Sequence, residues 1–219
     1  MFIRKLEPIE ILIIEKVIEF VRAKHSKEEG HDYSHVLEVC RWSMEIGEKI
    51  EEPVDPFIAI CGALLHDIGR VGAPNGNFHG IDGGARAEEF LENLIDDPQT
   101  ILKITKIIVR HTPTSMIPAQ STEERLVCDA DTIERLGLMG MVRGIMGKKG
   151  SMKSIIEDRI KKRMEDFDKL YFEYSKQIAK PFYEETKQTV HILEQYLSER
   201  LKEIQDIETY KLLAGDEQV

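Results

Sequence analysis

The chain has 219 residues, 42% of them hydrophobic and 32% charged, with a formal net charge of −10. That is the balance of a globular chain long enough for a sizeable core. The acidity argues against a general nucleic-acid binder, which carries a basic face, and no apolar window of about 18 residues exists to span a bilayer.

Almost every segment repeats its apolar residues at helical spacing, and none alternates in the manner of a strand. Pro8 to about Lys24 sets Ile11, Ile14, Val17, Ile18 and Val21 on one face. Glu15, Lys16 and Glu19 interrupt that run, so it reads as a helix and not as a signal peptide. A polar connection follows, and Asp32 or Ser34 caps a second helix to about Glu51 with Val36, Val39, Cys40, Trp42 and Ile46 inward. Asp55-Pro56 is a strong start signal, a capping carboxylate followed by proline at the first helical position. The helix it opens, Phe57 to Ile68, is apolar nearly all round and is expected at the centre of the bundle.

Val71 to Gly84, with its glycines and Pro74, reads as a loop containing His79. Helices are then expected at about Ala85–Leu94 and Pro98–Val109, followed by a loop at Thr112–Gln120 and a helix announced by Ser121-Thr122-Glu123-Glu124. Leu136 to Gly150 is rich in Gly and Met and reads as a short helix with a mobile connection. Two long helices, about Met152–Lys176 and Pro181–Leu212, close the chain. The expectation is one all-α domain over residues 1–214, its core at about 25–150, C-terminal helices at 151–213 and a frayed tail at 215–219. The 3 cysteines, Cys40, Cys61 and Cys128, form no Cys-x-x-Cys pair; buried reduced thiols and a cytoplasmic protein are expected. Abundant Glu and Lys hint at a thermophile.

One stretch does not suit a core: Ala63-Leu64-Leu65-His66-Asp67-Ile68-Gly69-Arg70 brings an imidazole and a carboxylate to the end of the most apolar helix. Such groups are buried only when something satisfies them, and a divalent metal does so for both. Adjacent helical side chains diverge by about 100°, so a shared ion would sit above the helix end, where Gly69 is expected to stop the helix. Other metal-binding side chains near helix ends and loops are His31, Asp32, His35, His79, His111, Asp129 and Asp131. Asp129 and Asp131 are about 200° apart on a helix and cannot both face one ion. Asp131 shares the face of Val127 and Cys128 and is the better ligand, while Asp129 reads as a helix-stabilising or supporting carboxylate. Asp32 serves as a helix cap or orients a metal-bound imidazole, and His25 and His191 fall on solvated-looking faces.

The order His35, His66-Asp67, Asp131 resembles the HD-domain superfamily of metal-dependent phosphohydrolases. The stretches that carry the likeness are His31-Asp32-Tyr33-Ser34-His35-Val36, the His66-Asp67 segment and Asp129-Ala130-Asp131-Thr132-Ile133. The resemblance covers about residues 25–150 and extends loosely to the tail, which looks like that of stand-alone bacterial and archaeal members. It implies an HD-type helical bundle with His35, His66, Asp67 and Asp131 as metal ligands. In binuclear members, histidines between the His-Asp pair and the last aspartate hold a second ion bridged by that first aspartate. Here those are His79 and His111, although Arg110-His111 stands where paired histidines are common; phosphate contact, general-acid duty or no role stay open for both.

Imidazole and carboxylate ligands together suit Mn, Fe, Co, Ni or Zn, with Mg admissible. A six-coordinate ion with those ligands keeps room for a water and a phosphate oxygen and can activate both. Phosphate needs further cations: Arg70 near the pair, then Arg143, Lys148, Lys149 and Lys153, of which Arg143 is preferred and Lys148 is a second contact. The expected function is hydrolysis of a phosphoester or phosphoanhydride of a nucleotide or similar small metabolite. A non-catalytic nucleotide-binding module and a di-iron oxygenase are the alternatives. No stable nucleic-acid complex and no membrane are expected, and homo-oligomerisation stays open.

Overall fold

The computed structural model describes residues 1–25, 32–72, 78–112, 117–146 and 150–208. His31, Lys148, Lys149 and the tail at 215–219 lie outside the described residues. Among those described, the secondary structure is helical apart from an isolated bridge between Phe2 and Val54.

The order is α1 (Pro8–Lys24), α2 (Tyr33–Lys49), α3 (Pro56–Leu65), a 3₁₀ turn (Ile68–Arg70), α4 (His79–Leu91), α5 (Pro98–Arg110), α6 (Thr122–Ile133) and α7 (Gly137–Ile145). Two helical stretches then close the chain. The first changes pitch along its length: α8 (Met152–Ile155), π-helical turns (Ile156–Lys161), α9 (Lys162–Met164) and 3₁₀ turns (Glu165–Lys169). The second is α10 (Glu173–Glu208).

Helix α3 is the axis of the bundle, as its all-round apolarity requires, and each of its residues is buried. Asp55 starts it by accepting hydrogen bonds from the Phe57 and Ile58 backbone N–H groups at 2.9 and 3.3 Å, with Pro56 at the first position. Around it pack α1, α2, α5 and α6. Gly62 lets α5 approach, because an ideal Cβ there would lie 2.5 Å from Ile107 Cδ1. Ser121 and Glu124 form the expected capping box of α6.

Several sequence expectations are corrected. The buried edge of α1 is Ile13, Val17 and Val21, with Ile11 largely exposed. His25 is buried at the C-terminal cap of α1, not solvated, while His191 is exposed. His79 is the first residue of α4 and not a loop residue, since Gly80, Gly83 and Gly84 lie inside that helix. They are there because α4 presses its backbone on α5 and the 3₁₀ turn: a Cβ on Gly80 would lie 2.9 Å from the Val109 carbonyl oxygen.

The break between the closing helices falls at 170–172, and Pro181 sits inside α10. Proline in a helix interior forfeits one hydrogen bond, and burial of neighbouring Ala179 and Thr186 holds the helix across it. Asp129 fixes the break instead. Its carboxylate accepts from the backbone N–H of Tyr171 at 2.9 Å and of Phe172 at 3.0 Å, immediately before α10. Asp129 therefore stabilises a helix, though not its own.

Candidate metal centre

Five helices aim side chains into one buried space. His35 comes from the first turn of α2, which Asp32, not Ser34, caps by accepting the His35 N–H at 3.1 Å. His66 and Asp67 follow the last residue of α3. His111 follows the last residue of α5, His79 opens α4, and Asp131 lies in the last turn of α6. His35, His66, Asp67, His111 and Asp131 are all buried, with at most 6% of their surface exposed.

His66 and His111 are oriented by the same device. Each sits one residue past its helix and donates Nδ1–H back to a carbonyl of that helix, Ala63 and Ile108 respectively, both at 2.7 Å. Nε2 of each ring is left with its lone pair facing inward, the arrangement that metal-binding imidazoles adopt.

Asp67 divides the space. Its Oδ2 lies 3.6 Å from His35 Nε2 and 3.4 Å from His66 Nε2. Its Oδ1 lies 3.5 Å from His111 Nε2, 3.7 Å from His79 Nε2 and 2.8 Å from Arg70 Nε. On the first side, His35 Nε2 is also 3.4 Å from both Asp131 Oδ1 and His66 Nε2. On the second, the Nε2 atoms of His79 and His111 are 3.3 Å apart. Donors about 2.1 Å from one ion at tetrahedral or octahedral angles stand about 3.0–3.4 Å from each other. Two overlapping groups approach that spacing, His35–His66–Asp131 and His66–Asp67–His111, each with donor atoms within 4.8 Å of one another. Inward-facing lone pairs and carboxylates packed this closely, away from water, are a donor set that fits a divalent cation.

Protonation follows the same crowding. Burial alone would lower the His35 pKa, but hydrogen bonds to Asp131, Asp67 and Glu134 outweigh it and hold it up at about 10. Burial alone would raise Asp131; the hydrogen bond and charge of His35 overcome this and keep it well below the carboxylate range. Burial pushes His66 down, aided by the neighbouring His111 and His35. His35 and Asp131 thus favour opposite charges where they face each other at 3.4 Å, and ligation of a cation would require His35 to give up its proton.

Behind His35 is a group that the sequence did not disclose. Glu134, one turn beyond Asp131, accepts from Trp42 Nε1 at 3.1 Å and places Oε2 3.8 Å from His35 Nδ1. Arg143 on α7 lies 3.3 Å from the same carboxylate and contacts His35 Nδ1. The i, i+3 spacing from Asp131 was the only available signal for Glu134. Arg110, which precedes His111, pairs with Glu124 Oε2 at 2.9 Å and ties the end of α5 to the start of α6. Gly69 does not stop a helix, since α3 ends at Leu65 and Gly69 has no left-handed backbone. It is glycine because an ideal Cβ would sit 1.9 Å from the His79 carbonyl oxygen. Lys153 is exposed at the start of α8.

These features define a class: an all-helical protein whose central helix delivers a His-Asp pair to a buried site able to hold metal. Residues 32–136 match the HD domain family, a span that begins at the α2 cap and ends just after α6. The segment from the α2 cap to the end of α6 is thus an HD domain. Among solved structures it is similar to Bacillus subtilis YpgQ in complex with ADP, at 22% identity and a TM-score of 0.67 over 85% of this chain and 96% of that one. A Bacillus thuringiensis HD-superfamily hydrolase gives 23% and 0.62 over 87% and 97%. A Lactobacillus plantarum protein gives 14% and 0.70 over 89% and 99%. At these identities the likeness is one of fold. No curated protein matches the chain, and among the described residues no helix is long and apolar enough to cross a membrane.

Proposed function

We propose that this protein is a metal-dependent phosphohydrolase of the cytoplasm, acting as one domain on a nucleotide or similar small phosphorylated metabolite. The observation that carries the reading is the division of Asp67, whose two oxygens face separate imidazole groups within 3.7 Å. His35, His66, Asp67 and Asp131 would hold the ion, for which Mn, Fe, Co, Ni or Zn suits the mixed donors better than Ca. When bound, such an ion acidifies a water and polarises a phosphoryl oxygen. Arg70, anchored on Asp67, carries positive charge at the rim of the site, where a phosphate would enter. The B. subtilis neighbour in complex with ADP supports a nucleotide as the first substrate class to test.

A second reading concerns the number of ions. His79, His111 and Asp67 Oδ1 converge as closely as the first group does, which favours a second position bridged by Asp67. If that position is not filled, His79 and His111 stand where they can contact phosphate or pass a proton to the leaving group.

The test is a panel of nucleoside mono-, di- and triphosphates and small phosphate esters, assayed after stripping and reloading with Mn²⁺, Co²⁺ or Ni²⁺. Release of phosphate or pyrophosphate is expected, with Asp67→Ala reducing turnover by about a thousandfold or more. Silence on all substrates with every metal, or full activity in Asp67→Ala, would overturn the reading. Bound nucleotide with intact metal and no product would make the protein a regulatory module, and iron-dependent oxygen uptake would make it an oxygenase. Metal analysis decides the ion count: a wild-type ratio that drops on His111→Ala supports the second position, and a ratio of one metal throughout removes it.

A further inference from the structure

The glycine-rich helix α7, which reaches the centre through Arg143, and the pitch-changing stretch after it together hold a charge that is out of balance. Arg163, on α9, lies within the electrostatic reach of Arg135, Arg143, Arg70 and Asp131. The other arginines each have a carboxylate. Arg70 pairs with Asp67 at 2.8 Å, Arg135 with Asp166 at 2.6 Å and Arg143 with Glu134 at 3.3 Å. Arg163 has none among the described residues; its Nη1 donates to the Gly140 carbonyl oxygen at 2.9 Å.

The seat is built for it. Gly140 and Gly144 are one turn apart on α7, and the guanidinium lies across them. An ideal Cβ on Gly144 would come within 2.9 Å of Arg163 Cζ and Nη1, so only glycine leaves room for the side chain in this position. Burial, together with the charges of Arg135 and Arg143, lowers the Arg163 pKa to about 10, which still leaves it protonated at neutral pH. A partly desolvated guanidinium among like charges, without a counter-ion, is unfavourable by itself and becomes favourable when an oxyanion with matching geometry arrives. The arginine cluster also connects to the centre, because Arg143 touches His35 and Asp131 is the acidic group within reach of Arg163.

We infer that Arg163, seated on Gly140 and Gly144 without a carboxylate partner among the described residues, binds a second anionic group of the substrate, a phosphate-type oxyanion beyond the one at the His-Asp centre. This rests on the phosphohydrolase reading for the first phosphate and assigns a residue to the next one. Arg163 is thus a specificity residue, favouring ligands with linked phosphates over those with one.

The experiment measures binding, so that it does not depend on turnover. Inorganic phosphate and inorganic tripolyphosphate, each with Mn²⁺ in excess, are titrated calorimetrically into Mn²⁺-loaded full-length protein and its Arg163→Met variant. Tripolyphosphate affinity should fall by about tenfold or more in Arg163→Met, the usual loss for a charge-assisted contact, while phosphate affinity stays within about twofold. Bound Mn²⁺ and the circular dichroism spectrum should not change. Equal tripolyphosphate affinity in the two proteins overturns the role of Arg163 and leaves the centre intact. Wild-type protein that binds neither anion overturns the phosphate reading itself. If Arg163→Met does not fold, Arg163→Lys keeps the charge without the planar fork; it should bind tripolyphosphate more weakly than wild type, and equal binding overturns the proposal.

Discussion

At the scale of single residues, the centre depends on supporting groups as much as on ligands. Asp67 faces two imidazole groups while Arg70 Nε holds its Oδ1 at 2.8 Å. His35 depends likewise on Glu134, whose other oxygen is fixed by Trp42 at 3.1 Å. Partners of this kind orient metal-bound imidazoles and are worth about ten- to a hundredfold in metal affinity. Glu134→Gln keeps the shape and removes the charge behind His35. It should weaken Mn²⁺ binding by about tenfold in competition with a chromogenic chelator, with thermal stability of the metal-free protein little changed. Undiminished Mn²⁺ affinity would mean that Glu134 serves only Trp42 and Arg143.

At the scale of elements, the site is positioned by contacts between helices that local sequence does not record. Helix α4 brings His79 to His111 by laying its first turn on the 3₁₀ turn at Gly69. Gly69→Ala would drive a methyl group into the His79 carbonyl, and overpacking of this sort costs about 3 kcal/mol or more. Urea unfolding should show that loss, and any folded fraction should have His79 displaced from the centre. On the opposite side of α6, Asp129 clamps the Tyr171 and Phe172 amides ahead of α10. Asp129→Ala leaves those donors without their acceptor, at about 1–3 kcal/mol. Hydrogen exchange should accelerate at Tyr171, Phe172 and the first turn of α10 before it does in α3. Unaltered exchange there would show that packing alone sets the start of α10.

At the scale of the whole molecule, binding of a metal at the proposed site would be linked to folding. The donors come from α2, the end of α3, the end of α5, α4 and α6, so they assemble only in the folded chain. An ion that binds this assembly and not the unfolded chain stabilises it by about 2.7 kcal/mol at a hundredfold excess over Kd. For a chain of this length that raises Tm by about 5–10 °C. Mn²⁺ should produce such a rise in differential scanning fluorimetry, EDTA should reverse it, and Asp131→Ala should abolish most of it. A Tm indifferent to metal would argue that the donor cluster is occupied by its own proton network instead.

What the sequence determined by itself is the part of the molecule written in short range. Helix periodicity, the Asp55-Pro56 and Ser121–Glu124 starts and the apolarity of α3 are local properties of the chain. The sequence also contained the order His35, His66-Asp67, Asp131, and that order was enough to expect an HD-type metal site. Tertiary structure decided the rest, because it depends on which backbones touch. Gly69 read as a helix stop and Gly144 as part of a mobile connection until α4 and the Arg163 guanidinium press on them. His79 read as a loop residue because the glycines that follow it, which break most helices, here permit close packing. Glu134, Asp129 and Arg163 acquired their roles from neighbours tens of residues away, Trp42, Tyr171 and Gly140 among them. Spacing along one helix carries no trace of such partners, since a side chain's charge is balanced or left unbalanced only when the helices come together.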